Sequence, residues 1–248
     1  MIYFENVSKI YDGESHPVVN NVSFFVRKGE ILTLLGSSGA GKTTLLKMVN
    51  RLCEPSQGQI TLDGRAVHTF NPIELRRQIG YVSQNVGLFP HMTVEDNITL
   101  VLRLQKKNKK SRKKRADELL ELVDLNPCHY AKRFPDELSG GQQQRIGVAK
   151  ALAADPDYLL MDEPFAALDP IIRDELQTEL LRLNTTLNKT ILFVTHDINE
   201  ALRLSNTIGI MHKGKLEQIG TGAELLQFPA NAFVKHFMAT ALTPRHED

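Results

Sequence analysis

Two stretches of this chain carry the residue types and spacing of phosphate chemistry. Gly36-Ser37-Ser38-Gly39-Ala40-Gly41-Lys42-Thr43, followed by Thr44, fits G-x-x-x-x-G-K-[ST]. Glycines at those steps let backbone N–H groups turn inward around phosphate oxygens, and a following helix start adds the positive end of its dipole. Lys42 then reaches the β/γ-phosphates, and the Thr43 hydroxyl is a hard oxygen ligand for Mg²⁺. Downstream, the apolar run Leu159-Leu160-Met161 ends in Asp162-Glu163. Adjacent side chains on an extended segment point apart, so Asp162 can support a Mg²⁺ shell while Glu163 polarises an attacking water. Without the upstream loop the same pair would read as a solvated acidic turn.

A third stretch, Leu138-Ser139-Gly140-Gly141-Gln142-Gln143-Gln144-Arg145, precedes an apolar-periodic helix. It reads as a capped helix start in which Ser139 and the next N–H groups form a second anion nest. One phosphate loop leaves that nest without a use inside a single copy. Two copies face to face resolve this, each lending its nest to the other's γ-phosphate.

These groups need elements to hold them. Ile31 to Leu35 is a continuous apolar run, the pattern of a strand buried on both faces of a parallel sheet, and it delivers the chain into the glycine loop. Leu45, Leu46, Met48, Val49 and Leu52 recur at helical spacing from Lys42 onward. Before them, Ile2 to Val7 and Val22 to Val26 read as an antiparallel hairpin layer, with turns at Asp12-Gly13 and Lys28-Gly29. Ile60-Thr61-Leu62 reads as a further strand ending in an Asp63-Gly64 turn. From about Val86 to Ala154 helical periodicity dominates, with Leu119, Leu120, Leu122, Val123 and Leu125 on one stripe. Tyr158 to Met161 and Ile191 to Val194 return to short buried strands, each followed by a helical stretch. A hairpin is expected across Ile208 to Ile219, turning at Lys213-Gly214.

Composition excludes several classes. The chain has 248 residues, 42% hydrophobic and 24% charged, which is ample for a buried core. Cys53 and Cys128 have neither CxxC spacing nor a His-rich context, so neither a disulfide framework nor a zinc site is expected, and a reducing cytosol is the natural home. The start lacks a basic signal region and no run approaches a membrane span, so the expectation is a protein neither secreted nor spanning.

With LSGGQ at Leu138 to Gln142, the chain resembles the ATP-binding cassette family, whose signature this is, and the family's motifs appear in order along nearly the whole sequence. The resemblance implies a P-loop NTPase (RecA-like) α/β core with an N-terminal antiparallel β subdomain and an inserted α-helical subdomain. It implies one nucleotide-binding domain over 1–248: about 1–85 for the β subdomain and first part of the core, about 86–155 for the helical subdomain, and about 156–248 for the rest. Tyr11 resembles the aromatic that stacks on adenine. Gln84, in Tyr81-Val82-Ser83-Gln84, resembles the glutamine that reaches Mg²⁺ and the attacking water. Ala167-Leu168-Asp169 matches the loop that crosses the dimer interface, and His196 matches the switch histidine on the γ-phosphate, with Asp197 and Glu200 spaced as a capping box. Taken singly, Tyr11 reads as a packed strand aromatic, Gln84 as a polar loop residue and His196 as a helix-start histidine. Their order and spacing carry the assignment.

The implied activity is ATP hydrolysis with Mg²⁺, coupled to closure of a head-to-tail dimer of two copies. The implied partners are integral-membrane permease subunits and, through them, an extracytoplasmic substrate-binding protein, at the cytoplasmic face of the membrane; no nucleic acid is expected. Gly87 to Thr93 matches the stretch that receives a permease coupling helix, where Leu88, Phe89 and Met92 either line that groove or belong to the subdomain core. Asn50-Arg51-Leu52, Glu54-Pro55-Ser56, Leu75-Arg76-Arg77 and Arg145-Ile146-Gly147-Val148 resemble the importer subgroup for glycine betaine, carnitine and choline. An importer of another solute, such as an amino acid, is the alternative; a soluble cassette acting on nucleic acid or in cofactor assembly is the rival from another class. The chain ends soon after Phe237, so regulation by the C-terminal modules of many subgroup members is not expected.

One feature lies outside these motifs. Lys106 to Arg115 (KKNKKSRKKR) holds eight of the 30 basic residues and no acid. Without those eight charges the formal +1 of the chain becomes −7. The run reads either as a solvated helix face or as a patch attracted to an anionic membrane or an acidic permease loop.

Overall fold

A run with no polar side can only be a strand if both faces are covered, and Ile31 to Leu35 is one. In the computed structural model, which describes residues 1–166 and 168–239, all five of its residues are buried. The elements in chain order are β1 (Ile2–Lys9), β2 (Val19–Val26), β3 (Ile31–Leu35), α1 (Lys42–Val49), β4 (Gln57–Leu62) and β5 (Arg65–Ala66). Next come α2 (Pro72–Gln78), β6 (Ile79–Val82), α3 (Val94–Leu104), α4 (Lys109–Leu122), α5 (Pro127–Tyr130), α6 (Gly140–Leu152), β7 (Tyr158–Asp162) and α7 (Pro170–Leu187). The chain continues through β8 (Thr190–Thr195), α8 (Ile198–Leu204), β9 (Thr207–His212), β10 (Lys215–Gly220), α9 (Gly222–Gln227) and α10 (Ala232–Ala239). Two compact units result among the described residues, one from residues 1–72 with 190–239 and one from 73–189.

The first unit holds an antiparallel layer in the order β2-β1-β4-β5. Ile2, Phe4 and Val7 face its core, and Phe4 stacks on Phe24 with ring centroids 4.2 Å apart. Beside it runs the parallel set: β3 lies between β8 and β9, with Leu34 opposite Val194 on one side and Gly209 on the other, and β10 is antiparallel at the edge. Leu35, Ile208 and Ile210 pack under α8, α9 and α10 through Ile198, Leu225 and Val234. The anticipated strands are all present, each starting or ending up to three residues from its expected bound.

In the second unit β6 and β7 pair in parallel, Ile79 with Tyr158 through Val82 with Met161. Sequence reading gave no sign of β6, a four-residue strand interrupted by Gly80. That glycine is required by packing: a Cβ there would stand 2.5 Å from Leu159 Cδ2 and 2.6 Å from the Ala151 carbonyl oxygen. Helices α4 and α6 cap one another. Arg115 donates to the Leu152 and Ala153 carbonyls at 3.1 and 3.4 Å, at the end of α6, while Arg145 donates to the Val123 carbonyl at 3.1 Å, at the end of α4. Last-turn carbonyls otherwise depend on water.

The basic run forms the α3–α4 connection and the first two turns of α4, capped by Asn108. Its lysines are exposed, whereas Arg115 is drawn into the packing. Among the described residues no helix is long and apolar enough to cross a membrane.

Arg145 also ion-pairs with Glu179 of α7, which is 7% exposed. Burial pushes the Glu179 carboxyl up, and the Arg145 guanidinium pulls it back. Arg145→Ala strands that carboxylate, so urea unfolding at pH 7 should show a loss of about 3 kcal/mol. In the variant the carboxyl prefers its proton more in the folded than in the unfolded chain. The loss should therefore shrink as pH falls through the raised carboxyl range, and a deficit unchanged between neutral and acid pH would clear Glu179 of responsibility.

Candidate functional site

In the first unit, β3 ends at Leu35 and the chain enters the glycine loop. Gly36 is buried, and a Cβ on it would meet the Met211 carbonyl oxygen at 2.3 Å. Gly41 has φ +96° and would place a Cβ 2.5 Å from the Val18 carbonyl oxygen. Gly39, at φ +78° with nothing within 4 Å, is needed for conformation alone. Ala40 N–H closes a turn on Ser37 O at 3.2 Å, leaving Ser37, Ser38 and Gly39 on the surface. Gly41 is the N-cap of α1, so no side chain caps that helix and no acid stands in its first turn. The Lys42 ammonium is held inside the loop, donating to Gly36 O at 2.7 Å and Ser37 O at 2.9 Å, and Thr43 and Thr44 follow half-buried. A cradle of backbone N–H groups at an uncapped helix start, with a cation inside and oxygen-bearing Thr43 beside it, fits a polyphosphate with Mg²⁺.

Tyr11 lies beyond the end of β1 and is 38% exposed, so it is not a packed strand aromatic. Lys9 Nζ stands 5.1 Å from its ring centroid, and its hydroxyl reaches Cys53 Sγ at 3.9 Å. Burial pushes the phenol up, and a hydrogen bond with the Thr44 side chain opposes that shift, which places Tyr11 beside the end of the phosphate loop. His196 is exposed immediately after β8. Asp197 caps α8 by accepting from Asn199 and Glu200 N–H. Glu200 departs from the expected box by accepting the Thr195 hydroxyl at 2.6 Å, while that hydroxyl accepts Asp197 N–H at 3.0 Å.

In the second unit Asp162 is the last residue of β7 and is 9% exposed. Its Oδ2 accepts the Tyr81 hydroxyl of β6 at 3.4 Å. Glu163 has φ +47°, so the chain leaves the strand through a left-handed residue directly after Asp162 instead of continuing the pleat. Gln84 is exposed two residues past β6, and in the loop that follows Phe89 is 41% exposed while Leu88 and Met92 are half-buried. None of these three is fully buried.

Ser139 caps α6: its Oγ accepts Gln142 N–H at 3.3 Å, and Gln142 Oε1 accepts Ser139 N–H at 3.1 Å. Ser139 and Gly140 are exposed, whereas Gly141 is buried and a Cβ on it would touch Ile172 Cγ2 at 2.5 Å. Gln142 Nε2 donates to the Tyr130 hydroxyl at 3.1 Å. Asp169 is exposed and caps α7, accepting Ile171 and Ile172 N–H at 3.1 and 3.0 Å. Ala167 lies outside the described residues, and Leu168 is half-buried.

Sequence reading missed the supports: Tyr81 on Asp162, Tyr130 on Gln142 and Cys53 on Tyr11. Only the capping role of Asp169 had a signal, an Asp before Pro170 at a helix start. Among the described residues no group of three or more His, Cys, Asp and Glu gathers to hold a metal ion. Mg²⁺ needs no such group, because it keeps waters and phosphate oxygens and uses one or two protein oxygens.

A sequence profile of the family described as ABC transporter matches residues 19–166. A glycine betaine/carnitine/choline transport ATP-binding protein of Bacillus subtilis is 55% identical over 238 residues, 96% of this chain and 62% of its own length. An osmoprotectant import ATP-binding protein of Salmonella typhimurium is 48% identical over 96% of this chain and 63% of its own length. The chain thus spans about three-fifths of these relatives. A solved dimeric ATP-binding cassette in a post-hydrolysis state, bound to ADP and Pi, is 33% identical, with a TM-score of 0.80 over 89% of this chain and 98% of that one.

Burial, and then the Asp162 charge, push the Tyr81 phenol well above its ordinary range. The folded state therefore favours the protonated phenol, a contribution complete below about pH 10 and lost as pH climbs beyond it. In an ultraviolet titration of the five tyrosines, Tyr81 should ionise above the ordinary tyrosine range, and Tyr81→Phe should remove one equivalent from that late-ionising limb. An unchanged alkaline limb in the variant would mean that another tyrosine is the shielded one.

Proposed function

The chain belongs to the ATP-binding cassette transporter family, and from that premise we propose that it is the ATP-hydrolysing subunit of an importer for a quaternary-amine osmoprotectant such as glycine betaine, carnitine or choline. The observation that carries the ATPase reading is the uncapped start of α1 at Gly41 with Lys42 drawn inside the loop. The solute class rests on relatives named for such solutes at 46–55% identity.

In this reading Tyr11 stacks on the adenine, and the N–H groups of Gly36 to Thr44 bind the phosphates. Lys42 exchanges its carbonyl partners for β/γ-phosphate oxygens. Mg²⁺, when bound, offsets charge on those phosphates; Thr43, Asp162 and Gln84 supply its protein contacts, directly or through water. Glu163 orients and polarises the attacking water, and His196 donates to the γ-phosphate. Ser139, Gly140, Gly141 and Gln142 serve a second copy's γ-phosphate, and Asp169 lies on the loop that crosses to that copy. Because those contacts exist only with the γ-phosphate in place, ATP favours the closed dimer and hydrolysis releases it.

The stroke passes to permease subunits, for which exposed Phe89 with half-buried Leu88 and Met92 is the receiving surface. An extracytoplasmic substrate-binding protein delivers the solute, and this chain sits peripherally on the cytoplasmic face.

Glu163→Gln should retain nucleotide binding, lose turnover by at least about 10²-fold and accumulate an ATP-bound dimer on size exclusion. Rapid hydrolysis by that variant would overturn the catalytic assignment. Uptake of labelled betaine, carnitine, choline and amino acids, with and without the chain, tests the solute: loss confined to amino acids would move the reading to another importer class. ATPase activity stimulated by nucleic acid and indifferent to a permease would move it out of transport.

A further inference from the structure

Tyr11 stands beyond the end of β1 with its backbone in a turn, Glu14 N–H donating to its carbonyl at 3.1 Å. On the residue before it, one hydroxyl holds both backbone groups: Ser56 Oγ accepts Ile10 N–H at 3.1 Å and donates to the Ile10 carbonyl at 3.3 Å. Ser56 N–H donates to the Ser8 carbonyl at 2.8 Å, which extends the pairing of β4 with β1 by one step. The side chain is tied as well. The Tyr11 hydroxyl donates to Cys53 Sγ at 3.9 Å and bonds the Thr44 side chain, and Cys53 Sγ donates to the Thr44 carbonyl at 3.9 Å.

Cys53 and Ser56 belong to one short turn, residues 51–56, by which the chain leaves α1. Arg51, at φ +50°, directs the chain out of the helix, and its guanidinium braces the turn by donating to Glu54 Oε1 at 2.7 Å and to the Phe70 carbonyl at 2.6 Å. Pro55 stiffens the step into Ser56. The other end of α1 is the phosphate loop, with Lys42, Thr43 and Thr44 in its first turn. Tyr11 is therefore tied at both ends of one eight-residue helix, about 12 Å long. Thr44 holds it at the start; Cys53 and, through Ile10, Ser56 hold it beyond the end.

We propose that Ser56 is a positioning residue for nucleotide binding: through Ile10 it fixes Tyr11 at a set distance from the phosphate loop, so that one ligand meets the aromatic face and the N–H cradle without either having to move. Cys53 steadies the same ring at its hydroxyl. The Lys9 ammonium, 5.1 Å from the ring centroid, leaves a base the face away from it. Stack and cradle act as two joined sites, and the gain over either alone depends on their separation being held. A diphosphate without a base uses only the cradle. The inference deepens the function proposed above and rests on it in one respect: Tyr11 must be the residue on which the base stacks.

Calorimetry on the full chain tests this, with ADP and with inorganic pyrophosphate, each in the presence of Mg²⁺. Neither ligand brings a γ-phosphate, so dimer closure does not enter the comparison. Ser56→Ala should weaken ADP binding about tenfold, the scale of the two hydrogen bonds lost, and leave pyrophosphate binding as in the parent. Ser56→Thr, which keeps the hydroxyl, should restore the affinity for ADP. In a Tyr11→Ala background, Ser56→Ala should cost ADP nothing more. Equal weakening of both ligands in Ser56→Ala, or an unchanged affinity for ADP, overturns the positioning role, as does a full tenfold loss in the Tyr11→Ala background. A Tyr11→Ala chain that binds ADP as tightly as the parent overturns the reading of Tyr11, and the positioning role with it.

Discussion

A backbone-to-backbone approach closes the phosphate loop, and the site's geometry follows from it. β9 runs beside β3 with Ile210 opposite Leu35, so the Met211 carbonyl arrives at Gly36 as the chain leaves the strand. At the other end of the loop the Val18 carbonyl, just before β2, fills the space a side chain on Gly41 would need. The loop is clasped between two backbone segments of its own unit, and Lys42 bonds it from within. Pre-organisation of this kind spares an incoming anion the cost of ordering the loop.

Much of this was legible in the sequence, though not always for the right reason. The glycine pattern located the loop, yet Gly36 and Gly41 answer to neighbouring backbone as well as to any phosphate. Adjacent Asp162 and Glu163 stand at the strand end where the apolar run stops, but the left-handed backbone at Glu163 is a feature that no pairwise pattern announces. β3, β7 and β8 were visible because a run of buried residues has no alternative face to show. β6 was invisible because four residues with a glycine among them resemble a turn. The supports of the site, Tyr81, Tyr130 and Cys53, come from distant segments, and single-sequence periodicity has no means of pairing them.

The helical part of the second unit shows how little an average charge conveys. Within KKNKKSRKKR the lysines lie in solvent, while Arg115 leaves the run to cap α6, a geometry that a planar guanidinium serves and an ammonium does not. Arg145 returns the arrangement to α4. The reciprocal caps satisfy carbonyls at the C-terminal ends of both helices, and they hold the signature helix at the end opposite its nest.

Lys42 carries a consequence for discrimination among ligands. Its ammonium already has two carbonyl acceptors inside the loop, Gly36 O and Ser37 O. Its worth to a ligand is therefore an exchange free energy, the strength of the new contact less that of the two given up. A nucleoside or a monophosphate that cannot reach the lysine leaves it where it is and gains nothing from it. Only a ligand that brings concentrated negative charge to the ammonium makes the exchange favourable, so the loop's own carbonyls set a threshold that selects for chain length in the phosphate.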